Sequence, residues 1–128
     1  PESMPLKKKI SELRHRLTFQ KKESIQDEEL NWNEGYIDLF TVWGAIEGFS
    51  SLGNNESVIA GAWGVKSPKK ITIRYRDDVQ QDMRIVKFVG RNEKNEPMFR
   101  TFDVIDFNDP EDNKEELEIM CQEVGLNG

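Results

Sequence analysis

Few residues in this chain are of the types that do chemistry, and their spacing does not assemble them into a reactive centre. The one histidine, His15, stands between Arg14 and Arg16. A lone histidine flanked by cations reads as a surface or core residue and not as a ligand or a general base. The one cysteine, Cys121, has Glu118, Gln122 and Glu123 beside it but no histidine to activate it. It reads as a small buried hydrophobe, the usual fate of a free cysteine. Two carboxylate clusters, Asp77-Asp78 and Asp109-Pro110-Glu111-Asp112, invite a calcium reading. Neither has the alternating acidic ligands and distal glutamate of a calcium loop, so turn chemistry accounts for both. No phosphate-binding glycine loop, HExxH or paired CxxC occurs. No catalytic residue, cofactor or metal is expected, and the chain is not expected to be an enzyme.

Charge is the remaining resource. The formal net charge is -6, and a protein that grips phosphates for its affinity ordinarily carries a basic surface. The charge is also divided along the chain. Pro1 to Lys22 holds seven Lys/Arg against two Glu, and Asp103 to Gly128 holds nine Asp/Glu against one Lys. A basic end and an acidic end suit head-to-tail contact between copies, or two neighbours on two faces. Arg14, Arg16, Lys70, Arg74 and Arg76 are candidate partner-contact residues on outward strand faces. Tyr75 and Phe19 lie beside these cations in sequence, but alternation directs both rings to the core, away from any nucleic-acid stripe.

The elements that would carry these residues are strands. With 128 residues, of which 36% are hydrophobic, the chain suits a single domain over 1–128 with one modest core. Residues 1–10 read as a lead-in, with Met4 a candidate native start behind a short remnant. Seven Phe, three Trp and two Tyr supply enough burial to argue against a disordered chain. A single cysteine excludes an intrachain disulfide and suits a reducing compartment. No apolar run approaches the roughly 20 residues of a membrane helix.

Alternation of apolar and polar residues predicts strands at about 14–22, 36–49, 70–76, 82–89, 98–107 and 116–124. Residues 23–35 read as a hairpin loop, and Gly44 inside the second strand suggests a bulge or bend. Ile71, Ile73 and Tyr75 share one face of the third strand, with Lys70, Thr72, Arg74 and Arg76 on the other. Six short strands with turn signals between them predict an all-β fold, a small antiparallel barrel or sandwich of about six strands. Residues 48–68 read as a long flexible loop, since nine of the nineteen residues from Gly48 to Lys66 are Gly, Ser or Asn. Loops of this length are usually functional or disordered.

A series of motifs in order gives these strands a further meaning. They are Leu13-Arg14-His15-Arg16-Leu17, Val42-Trp43-Gly44-Ala45-Ile46, Glu56 to Ala60, and Ile71-Thr72-Ile73-Arg74-Tyr75-Arg76. Asp82-Met83-Arg84-Ile85, Phe102-Asp103-Val104-Ile105 and Leu117 to Glu123 complete the series. In this order the chain, from about Ser11 to Val124, resembles the head-tail joining family of tailed bacteriophages, the head-closure or stopper adaptors. It departs from the pattern at Gly44, where many relatives carry alanine, and in the glycine-rich loop.

The resemblance implies a structural virion or prophage protein with no enzymatic activity. Such adaptors form a cyclic ring of copies under the portal and its first connector ring, close the DNA exit channel after packaging, and offer the tail-docking surface. Portal and connector proteins, tail proteins and copies of itself would be the partners. DNA would be enclosed without sequence-specific binding, and no membrane partner is expected. The place of action would be the bacterial host cytoplasm during assembly and then the head-tail interface of the virion. The long loop would project into the channel, making Gly48, Phe49, Leu52, Gly53, Glu56, Val58, Ile59, Ala60, Trp63 and Val65 candidates for gating and inter-subunit contact. A tail-side completion protein is one alternative. A monomeric β-barrel that binds nucleic acid is another.

Overall fold

In the computed structural model, residues 13–48, 67–110 and 112–124 are described. They form six strands: β1 (His15–Gln26), β2 (Trp32–Gly48), β3 (Pro68–Arg74), β4 (Arg84–Arg91), β5 (Pro97–Asn108) and β6 (Glu116–Val124). All pair antiparallel, in the closed order β1-β2-β3-β6-β5-β4. Closure removes the free edges that an open sheet would expose. It also settles the choice between barrel and sandwich in favour of one sheet that returns on itself.

Alternation builds the core. Leu17 and Phe19 on β1, Ile71 and Ile73 on β3, Ile85 on β4, Phe102 on β5, and Ile119 and Cys121 on β6 are fully buried. Each of these pairs is spaced by two, so their side chains fall on one side of the wall. Phe40 stacks on Phe19 with ring centroids 4.8 Å apart. Two core residues come from outside the strands. Val79 and Met83, in the connection between β3 and β4, are buried against the same cluster. That connection is tied to β5 by the Val104 amide, which donates to the Met83 carbonyl at 3.0 Å.

Several details depart from the sequence expectation. The first hairpin turn is shorter than 23–35, because β1 runs to Gln26 and β2 begins at Trp32. These added stretches are exposed on both faces, so no core-facing alternation marks them as strand. Gly44 is not a bulge, since it pairs in register with His15 and Ile73. The register slips at Leu39 instead, where Phe19 faces Phe40 but Gln20 faces Asp38. A Cβ on Gly44 would lie 2.6 Å from Leu17 Cδ1 and 3.0 Å from the Thr72 carbonyl oxygen. The glycine therefore serves close approach of three strands.

Thr72, expected on the solvated face, is 1% exposed. Its strand is flanked on both sides, by Ala45 of β2 and Glu118 of β6. Arg76 lies beyond β3, which ends at Arg74.

Candidate partner-binding surface

The expected gating residues Phe49, Leu52, Gly53, Glu56, Val58, Ile59, Ala60, Trp63 and Val65 lie outside the described residues, as does Glu111. Gly48, the last residue of β2, pairs with Lys69 of β3. The candidate partner-contact residues are all described, and the fold separates them into two groups.

Lys70 stands apart. Its ammonium donates to Glu118 Oε2 at 3.1 Å and approaches Glu47 at 3.9 Å. Its charge is spent within the wall of β2, β3 and β6. The acidic C-terminal strand is engaged in the same way, because Arg100 donates two hydrogen bonds, at 2.8 and 2.9 Å, to the Glu123 carboxylate. Lys69 adds an ion pair to Glu123 at 3.6 Å. These contacts hold the Glu123 carboxyl below its usual range, with the Arg100 hydrogen bond the largest cause. The acidic end of the sequence thus neutralises basic residues of its own chain.

Arg16, Arg74 and Arg76 are brought together. From Ile37 to Trp43, β2 pairs with β1 on one side, while its pairing with β3 begins only at Gly44. A groove of about 700 Å³ opens there, lined by Arg16, Thr41, Trp43, Arg74, Tyr75 and Arg76 among others, with no carboxylate among its described lining. Arg16 lies over the Trp43 ring at 5.0 Å and Arg76 over the Phe40 ring at 3.8 Å. Arg76 is further held by Asp78, to whose carboxylate it donates at 2.9 and 2.8 Å.

A second shallow groove shares Arg16 and Trp43 and adds Arg14, Lys87, Phe88 and Phe99. Phe88 and Phe99 pair across β4 and β5, edge to face at 5.8 Å. His15 lines this groove. Burial, then Lys87, Arg14 and Arg100, lower its pKa, so the imidazole stays neutral more readily than usual. Cations thus concentrate on this face. Trp43 and Phe88 are each 52% exposed, which is unusual for large aromatics without a partner.

Sequence reasoning set the cations on outward faces but overlooked Trp43, Phe88 and Phe99 as their neighbours. Each lies in a strand whose apolar residues do not keep strict alternation, so its facing was ambiguous. The signal available was the odd offset, three positions, of Trp43 from the inward Phe40 and Ile46.

The other groups with chemical promise have structural work. Cys121 is fully buried, its sulfur 3.4 Å from the Lys69 carbonyl, and burial pushes its thiol up to about 12. The Asp109 carboxylate accepts hydrogen bonds from the backbone of Asn113 and Lys114 at 3.4 and 2.8 Å. That is the turn chemistry expected of its cluster.

Comparison with known proteins agrees with the all-β fold. No curated protein matches the chain. A solved structure does: protein SF1141 from Shigella flexneri 2a, 27% identical, superimposes with a TM-score of 0.61 over 89% of this chain and 95% of that one. Residues 8–124 match the model of the phage head completion proteins. With nearly the whole length accounted for, the chain belongs to the phage head completion protein family.

Proposed function

We propose that this chain completes the phage head as a ring-forming adaptor beneath the portal, closing the DNA channel and presenting the surface on which the tail docks. The observation that carries the reading is the family match across residues 8–124. The structural character of the family supports a non-catalytic role. The ring, the tail-docking surface and the enclosure of DNA are the finer parts of the proposal. In it, the residues between Gly48 and Lys66 meet their copies around the channel, with Val58 and Ile59 as the apolar contacts and Trp63 between subunits. Portal, connector and tail proteins are the remaining partners, met in the host cytoplasm and retained in the virion.

The test is genetic and direct. Heads assembled without the chain are expected to package DNA and then lose it, and purified protein is expected to restore retention. A tail-side completion role would instead leave DNA retained in such heads while tails carry the defect.

A second reading is favoured by one specific observation. Trp43, Phe88 and Phe99 are exposed beside Arg14, Arg16 and Lys87, the pairing of ring and cation that single-stranded nucleic acids use. The net charge of -6 weighs against it. Fluorescence titration with single-stranded DNA near physiological salt should show no binding. Tight binding lost in Arg16→Glu would favour the nucleic-acid module.

A further inference from the structure

The first hairpin is built unlike the rest of the molecule. β1 pairs with β4 only at Thr18 to Gln20, whereas its pairing with β2 continues outward to Gln26 and Trp32. The outer half is thus a two-stranded ribbon standing off the closed sheet. Its turn is locked by Asp27, whose carboxylate accepts from the backbone of Glu29 and Asn31 at 2.9 Å each and from the Asn33 side chain at 3.0 Å. Those contacts hold the Asp27 pKa low, the Asn31 amide foremost.

What this locked tip displays is apolar. Leu30 is 72% exposed and Trp32 68% exposed, with Ile25 nearby at 44%. Leu30 also has φ 68, a left-handed backbone that a bulky side chain rarely adopts and that Gly or Asn would take with less strain. A turn needing only to reverse the chain would not place leucine there. Three consecutive carboxylates, Asp27, Glu28 and Glu29, directly precede this apolar point in the turn.

The groove at Trp43 is its complement: the guanidinium of Arg16 lies over the exposed indole and Arg74 lines the same groove, with no carboxylate among its described lining, while Arg76 is already paired with Asp78. The two features lie at opposite ends of the same strands. At about 3.3 Å per residue, roughly 30 Å separates Gln26 from Arg16, and a paired ribbon cannot double back over that span. We infer that the β1–β2 tip of one copy docks into the Arg16–Trp43–Arg74 groove of a second copy. Leu30 and Trp32 meet Trp43, and Glu28 and Glu29 face the arginines.

The contact is heterologous, tip to groove, so it propagates from copy to copy and closes when the rotation allows. It rests on the proposed ring only for its use in the virion. A single hairpin end buries less than the about 1,200 Å² of a stable interface. The free protein therefore associates weakly, and a connector template would supply the effective concentration that completes the assembly.

The test uses the free, full-length protein. Amide spectra recorded from micromolar to millimolar concentration should show Leu30, Trp32 and the acidic turn shifting together with Arg16, Trp43 and Arg74. Leu30→Gly suits the backbone of the turn and should leave the fold's spectrum intact while abolishing the shifts. Arg16→Glu/Arg74→Glu should abolish them as well, and mixing it with Glu28→Lys/Glu29→Lys should bring them back.

Shifts confined to another surface, or their absence at millimolar concentration, would overturn the inference. So would groove shifts produced by single-stranded DNA or by a tail protein but not by the chain itself. None of those results touches the head-completion reading, which is judged on DNA retention in assembled heads.

Discussion

Gly44 sits between β1 and β3, with Leu17 Cδ1 and the Thr72 carbonyl in the space a Cβ would fill. Leu17 is fully buried and has nowhere to retreat, so Gly44→Ala is overpacked. We expect a loss of about 1–3 kcal/mol in urea unfolding. A paired change to a smaller residue at position 17 should recover part of the loss. Cys121 gives a second residue-scale test. Its thiol, raised to about 12 by burial, should resist a thiol reagent at neutral pH and react only on unfolding.

Glu123 gives a third, and its sign follows from a lowered carboxyl pKa in the folded state. The stabilisation from Arg100 is present above the unfolded value of about 4.5 and is lost as pH falls through the lower folded value. Glu123→Gln should therefore cost about 1 kcal/mol at pH 7 and progressively less under acid, when wild type and variant are unfolded side by side.

At the scale of elements, the six strands divide into a closed wall and a projecting ribbon, and the two should respond differently to mutation. Asp27→Ala removes the acceptor that holds the Glu29 and Asn31 amides but touches nothing in the core. Amide exchange at the tip should quicken while the melting temperature of the wall barely moves. A matching drop in global stability would mean that the ribbon is part of the cooperative unit.

The sequence made the wall legible and the ribbon illegible for one physical reason. Alternation reports a strand only where one face meets a core, and Leu17, Phe19, Ile71, Ile73, Ile119 and Cys121 each do so. Residues 23–26 and 32–35 have no buried face, so their composition resembled a loop. Val79 escaped for the converse reason, being buried from a connection without period, and Met83, expected within the strand 82–89, lies just ahead of β4. The partner surface was half legible. Arg16, Arg74 and Arg76 were marked by charge, but their meeting at Trp43 depends on where β2 leaves β1 and joins β3, which pairing alone decides. Lys70 illustrates the limit, because nothing in its own segment announces the Glu118 and Glu47 carboxylates beside it.

For the whole molecule, the six strand pairings among the described residues already close the sheet. Deleting Leu52 to Ala62 should therefore leave the fold and its melting transition nearly unchanged. Under the proposed gate, the same deletion removes Val58 and Ile59 from the channel and should release packaged DNA. The central claim, that this family member completes the head, is tested most directly by nuclease protection of DNA in heads made without the chain. The account predicts heads that fill, leak their DNA to the nuclease and fail to join tails, with protection and joining restored by adding the purified protein. Heads that keep their DNA and accept tails normally in its absence would contradict it.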